Sequence, residues 1–215
     1  MKLLANTHAS IPGNETWLDT FNGLFIMEYD TQWHCACGAL QPLAASTALE
    51  RIGIDNLAIL PMGTPDSVTA ALTREMTPEI LGNFDCAMCL QRRPRTQHKR
   101  IDGAPDILRI KISNATASGA RNDNPIRLDK VIDLGAWAAV TRNPEPLRYR
   151  LRSVLCHGGT LTGGHWTATV TDAVGVNAIN DHVVVRGTDR GLRTNPQNGR
   201  QAVVVTYLRM WSKGG

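Results

Sequence analysis

The five cysteines are what most restricts how this chain can fold: Cys35 and Cys37 in "HCACG", Cys86 and Cys89 in "CAMC", and Cys156 alone. Two close pairs far apart in sequence do chemistry together only if the fold brings one against the other. The odd number, and an N-terminal stretch "MKLLANTHASIPGNETW" without the apolar run of an export signal, favour metal over disulfides. Zinc takes four soft or borderline ligands in a tetrahedron, with thiolate sulfur at about 2.3 Å. Cys86-x-x-Cys89 has the spacing of a knuckle turn. Cys35-x-Cys37 is unusually tight, whereas His34-x-x-Cys37 has knuckle spacing and a legitimate ligand type. The expected set is therefore Cys37, Cys86, Cys89 and one of His34 or Cys35, holding one structural zinc. The competing reading is a set of reduced, partly buried thiols on a surface hairpin.

A chain of 215 residues with 42% hydrophobic and 20% charged residues is expected to form one folded unit with a sizeable core. It has no apolar run of about eighteen residues, so the expectation is a soluble protein of the cytoplasm or nucleus, with no membrane partner. The net charge of +4 comes partly from "RRPRTQHKR", residues 92–100, an excess that permits an acidic partner without requiring one.

Strand patterns outnumber helical ones. "DSVTAALTREM" reads as one short helix, with Asp66 or Ser67 as N-cap, Val68, Ala71 and Leu72 at helical spacing, and Thr77-Pro78 as a stop. "DILRIKISN", "RLDKVIDLG", "YRLRSVLCH", "HWTATVTD", "DHVVVRG" and "QAVVVTYLRMW" read as strands, and "NATASGARNDNP" as the loop between the first two. In "YRLRSVLCH", Tyr149, Leu151, Ser153 and Leu155 are expected to share one face. Pro, Gly and Asn punctuation between the runs points to an antiparallel sheet filling the second half.

The stretch "SVLCHGGTLTGGHWTATV" then raises a chemical possibility. After His165 the strand runs to a turn at residues 172–177 and returns through "AINDHVVV", bringing Asn180 and Asp181 back towards it. An imidazole beside an Asn or Asp carbonyl is the base and orienter of a nucleophilic triad. The surrounding glycines would let a loop pass close to an extended substrate tail. Hairpin counting puts Asn180 opposite about residue 169, so contact with His165 would need a bulge or an asymmetric turn.

Taken together, these residues resemble the ubiquitin-specific proteases, papain-like cysteine deubiquitinases. Their C-terminal box, Tyr-x-Leu-x-x-Val-x-x-His-x-Gly, then Gly-His-Tyr, then Asn or Asp followed by Asp, is matched by "YRLRSVLCHGG", "GGHW" and "IND". "FNGLFIMEYDTQWHCACGALQ" resembles the segment entering the fingers, and "FDCAMCLQRRPRTQHKRIDGAPDILRIKI" the returning knuckle with its basic segment and following strand. The resemblance covers residues 21–211 in the family's order. It implies an α+β fold: a mainly antiparallel β palm at about residues 101–215, zinc-bearing fingers with the short helix at about 21–100, and a helical thumb largely missing. It implies His165 as general base, Asn180 as its orienter and Asp181 as a polar helper. It also implies that His157, Gly158, Gly159, Gly163, Gly164 and Trp166 border the channel for the C-terminal tail of ubiquitin or a ubiquitin-like protein.

Departures from the pattern are specific. Trp166 replaces Tyr, Ala104-Pro105 replaces Leu-Pro, "IKIS" lacks the usual ending, and His34 stands where the first finger Cys is expected. Nothing matches the Cys box that carries the family's nucleophile; "PGNETW" echoes it without a cysteine. Cys156, inside an apolar strand, is expected to be a buried hydrophobe and not a nucleophile. Three functions follow: a deubiquitinase part completed by a nucleophile-bearing thumb segment, an inactive ubiquitin-binding module, or, as the least favoured, a basic zinc ribbon binding nucleic acid.

Overall fold

A computed structural model of the chain describes residues 15–41, 49–52, 57–59, 61, 66–113, 121–122, 124–139, 146–160, 162–187 and 200–211. It contains two sheets, almost entirely antiparallel. The first is built on β1 (Met27–Cys35), with β2 (Leu40–Gln41) and β3 (Leu49–Ile52) along one edge and β6 (Arg92–Gly103) along the other; β5 (Glu79–Asp85) lies outside β6. Alternation along β1 turns Met27, Tyr29 and Thr31 inward. Farther out the core gives way to a cation over rings: the Arg95 guanidinium lies 3.7 Å from the centre of Trp33 and 5.3 Å from that of Phe84. The basic run of residues 92–100 lies within strand β6, which pairs with β5 at residues 92–97 and with β1 from Arg95 onward.

The second sheet adds β4 (Leu57–Ile59), β7 (Ile107–Ile112), β8 (Val131–Asp133), β9 (Arg148–Gly159), β10 (Gly164–Thr171), β11 (Val176–Asn180), β12 (Val183–Gly187) and β13 (Ala202–Arg209). Its order is β12-β11-β10-β9-β13-β7-β4, with β8 on β9 and only the β4–β7 pair parallel. The closing strand β13 thus inserts at the centre, between β9 and β7, and buries Val205 and Tyr207 completely. The phenol of Tyr149 donates to the Pro105 carbonyl at 2.7 Å, and that of Tyr207 to the Asp129 carbonyl at 3.0 Å. One continuous core joins Met27, Tyr29 and Ile101 at the base of the first sheet to the inner face of the second.

Two local expectations change. Helix α1 (Glu15–Phe25) was not anticipated, although Phe21 and Phe25 stand one turn apart with ring centres at 5.2 Å. Helix α2 (Val68–Glu75) forms where expected, capped by Ser67 Oγ on the Ala70 N–H at 3.1 Å, with Asp66 paired to Arg74 at 2.7 Å. Its Val68, Ala71 and Leu72 are buried, and the helix lies against β4 and β8 of the second sheet. The loop at residues 114–125 lies mostly outside the described residues.

The other change is one of strand parity. Tyr149 and Leu151 face the core, but the buried residues that follow are Val154 and Cys156, not Ser153 and Leu155. The register explains this: Thr206 pairs with Ser153 and Tyr207 with Leu151, leaving Arg152 as an extra residue in a bulge that moves the inward face by one position. Among the described residues no helix is long and apolar enough to cross a membrane. Tyr149→Phe, which leaves the Pro105 carbonyl unpaired in the core, is expected to lower stability by about 1–3 kcal/mol. Urea unfolding should show this as a lower midpoint at unchanged slope.

Candidate active site and metal centre

The sulfurs of Cys35, Cys37, Cys86 and Cys89 all lie within 4.8 Å of one another. Cys35 Sγ is 4.0 Å from Cys89 Sγ, and Cys37 Sγ is 3.9 Å from Cys86 Sγ. Four sulfurs bound at about 2.3 Å to one tetrahedral ion stand about 3.8 Å apart, so this spacing suits a metal, and none of the four is in a disulfide. Both turns close on the carbonyl of their first cysteine, over unequal spans: the Gly38 N–H donates to the Cys35 carbonyl three residues back at 2.8 Å, and the Leu90 N–H to the Cys86 carbonyl four residues back at 2.9 Å. The backbone N–H of Cys89, with that of Met88, outweighs desolvation and holds the Cys86 thiol down to about 6, towards the thiolate a metal requires.

His34, the alternative fourth ligand, takes no part. Side chains alternate along β1, so Cys35 and His34 point to opposite faces; the His34 ring meets His98 edge-on at 4.9 Å between centres. Cys35 completes the set in its place.

At the far end of the second sheet β9 and β10 form a hairpin in which His165 lies opposite Gly158, Trp166 opposite His157 and Gly164 opposite Gly159. Tight approach decides which residues fit. A Cβ at Gly164 would stand 2.2 Å from the Gly158 carbonyl oxygen and 2.4 Å from His157 Nε2, and Gly159 has φ +124°. His157 is buried, with its ring centre 4.6 Å from that of the half-exposed Trp166, on the face away from His165. His157, Gly159 and Gly164 therefore have reasons within the hairpin for being what they are. A side chain at Gly163 would meet open space, and one at Gly158 only the end of Gln201.

His165 and Asn180 do meet: His165 Nε2 is 2.5 Å from Asn180 Oδ1. The expected bulge in this hairpin is not needed. Strands β10 and β11 pair regularly from Thr171–Val176 to Ala168–Ile179, and one further step puts Asn180 beside Thr167. His165 is then the diagonal neighbour on the same face, with Cβ atoms separated by about 7–8 Å, which an imidazole and an amide can bridge. The turn is tied by Asp172, whose carboxylate accepts the Val174 and Gly175 N–H groups at 2.8 Å and the Asn177 side-chain amide at 2.8 Å. Asn180 Oδ1 can only accept, so this contact is a hydrogen bond when His165 carries a proton on Nε2. Both residues are exposed, and Asp181 follows in the β11–β12 turn at φ 51°. Cys156 is buried at the core, and desolvation pushes its thiol up to about 11, so it stays protonated and unreactive.

The sequence matches the ubiquitin carboxyl-terminal hydrolase family over residues 5–207, and the chain belongs to that family. It is 32% identical over 149 residues to ubiquitin carboxyl-terminal hydrolase 12 of Saccharomyces cerevisiae, covering 64% of this chain and 11% of that protein. To ubiquitin carboxyl-terminal hydrolase 4 of Eremothecium gossypii it is 29% identical over 134 residues, covering 52% of this chain and 16% of that one. The matched region is thus a small part of each curated relative. The fold is similar to that of the SAGA Ubp8/Sgf11/Sus1/Sgf73 DUB module bound to ubiquitin aldehyde, at TM-score 0.77 and 15% identity over 100% of this chain and 48% of the other. A second similar structure, of yeast SAGA DUBm, gives TM-score 0.71 and 16% identity over 91% and 42%. The palm-and-fingers architecture of a ubiquitin-specific protease is accordingly the fold of this chain.

Two outcomes are expected. Cobalt(II) added to the reduced protein should give the thiolate charge-transfer bands of a four-sulfur site, lost in Cys89→Ser and unchanged in His34→Ala. The Asp172 carboxyl is held below its ordinary 3.8, first by the Val174 N–H and then by that of Gly175. A depressed carboxylate stabilises the fold above its unfolded pKa and ceases to do so as pH falls through the folded value. Below about pH 4 the amide resonances of Val174 and Gly175 should therefore broaden before those of β13, and Asp172→Asn should abolish that difference.

Proposed function

We propose that this chain supplies the base-bearing palm and the fingers of a cysteine-type deubiquitinase, acting on bonds to the C-terminal glycine of ubiquitin or a ubiquitin-like protein. The observation that carries the reading is the contact of His165 Nε2 with Asn180 Oδ1 on the exposed end of the sheet. It leaves Nδ1 as the basic nitrogen, ready to take a thiol proton. In this reading a thiolate from a segment beyond these residues attacks the glycine carbonyl carbon. His165 gives its Nδ1 proton to the departing lysine amine as the thioester forms, then takes a proton from the water that hydrolyses the thioester. Asn180 holds the imidazole in the productive tautomer, and Asp181 assists from the adjoining turn. Gly158, Gly159, Gly163, Gly164 and Trp166 border the path of the substrate tail, with His157 supporting them from behind. The four-cysteine cluster holds a structural zinc that shapes the fingers and takes no part in bond breaking. Similarity to Ubp8 bound with ubiquitin aldehyde supports ubiquitin as the partner.

A second reading, a ubiquitin-binding part without its own chemistry, is favoured by one observation: four cysteines form the cluster and the fifth is buried, so none serves as nucleophile. Ubiquitin carrying a thiol-reactive C-terminal electrophile separates the two when added to the chain alone and to the chain with a family Cys-box segment. The expected result is binding by calorimetry in both samples, and an adduct only on the added segment. His165→Ala should slow that adduct by about 10²-fold or more. Binding without any adduct makes the chain a binder only, and absence of both overturns the proposal.

A further inference from the structure

The hairpin that carries His165 projects past the end of its sheet. Strand β13 pairs with β9 only as far as Ala202 opposite Cys156, so residues 157–159 have no strand partner on that side among the described residues. Backbone groups alternate along an antiparallel strand, so the residues on either side of Gly158, itself opposite His165, turn their carbonyls to the uncovered edge. Both carbonyls are met by one side chain. Arg121 Nη1 donates to the Gly159 carbonyl at 2.5 Å and Nη2 to the His157 carbonyl at 3.2 Å. A guanidinium offers several donors in a rigid planar fork, and here two of them bridge the span between alternate carbonyls.

We infer that Arg121 is a positioning residue for the His165 hairpin, standing in for the strand that β13 does not provide. Its contacts with this hairpin are to backbone carbonyls, one of them that of Gly159 at the border of the proposed substrate path. It anchors the strand on which His165 is registered, and through that register keeps the imidazole within reach of Asn180. Polar contact at an exposed edge contributes little to global stability, so Arg121 acts on the placement of His165 more than on folding.

The inference rests on His165 being the base oriented by Asn180, and a tautomer measurement separates the two claims. Long-range proton–nitrogen correlation at pH 8 reads the shifts of Nδ1 and Nε2 of His165 in the full chain. The wild type should show the wide separation of a ring protonated at Nε2. Arg121→Ala should narrow that separation towards that of a free imidazole, while core amides such as those of Val154 and Val205 keep their shifts. Arg121→Lys, with one cationic donor group for two carbonyls, should fall between, and it decides the matter if Arg121→Ala does not fold. A wild-type separation in the Ala variant, or in the Lys variant where only that one folds, overturns the role of Arg121. If Asn180→Ala also leaves the tautomer unchanged, the base–orienter reading fails instead; if Asn180→Ala narrows it and the Arg121 variants do not, only Arg121 is excluded.

Discussion

A single extra residue in β9 decides which side chains share a face at the end of the palm. With Arg152 bulged out, the inward face of the strand changes from Tyr149 and Leu151 to Val154 and Cys156. Side chains along a strand repeat every two residues, so a slip of one reverses every later assignment of face. Pairing with β10 then puts Thr167 and His165 on the side of Cys156, and His157 with Trp166 on the other. Where the core ends, that first face runs out into solvent and presents His165 beside Asn180. Without the bulge, His157 would share the core-side face and His165 would not.

The two functional centres are held by different kinds of force. The cysteine cluster joins two turns distant in sequence, with the β1–β6 and β5–β6 pairings bringing them to one end of the first sheet. Four sulfurs within 4.8 Å of one another suit a single cation, and a metal bound there would couple its own affinity to the geometry of the fingers. The His165 pair depends instead on hydrogen bonding: a regular hairpin, the turn tied by the Asp172 carboxylate, and glycines that permit close contact. In the proposed reading one centre stabilises structure, and the other is an exposed half-site to which a nucleophile is brought.

Much of this was legible in the residues. The short helix with its Ser67 cap, the strands of the second half and the two cysteine pairs follow from local identity and spacing, whereas His165, Asn180 and Asp181 were singled out together by the family resemblance. Other features were not. Helix α1 was passed over because its aromatic periodicity begins in a stretch read for its resemblance to a Cys box. His34 looked like a ligand because knuckle spacing was read without the alternation of the strand that carries it. Arg121 gave no signal, because the carbonyls it meets on β9 are 36 and 38 residues away.

The sequence by itself determined the family, the antiparallel character of the palm and the residue types able to hold a metal or move a proton, since these depend on composition, short periodicity and ordered motifs. Only the tertiary structure decided that Cys35 and not His34 closes the cluster, that a regular hairpin brings Asn180 to His165, and that a bulge puts Cys156 on the same face of β9 as Val154. The reason is physical. Which of two adjacent side chains faces a given neighbour depends on strand register and bulges, and register is settled by pairing between segments that the order of residues along the chain leaves open.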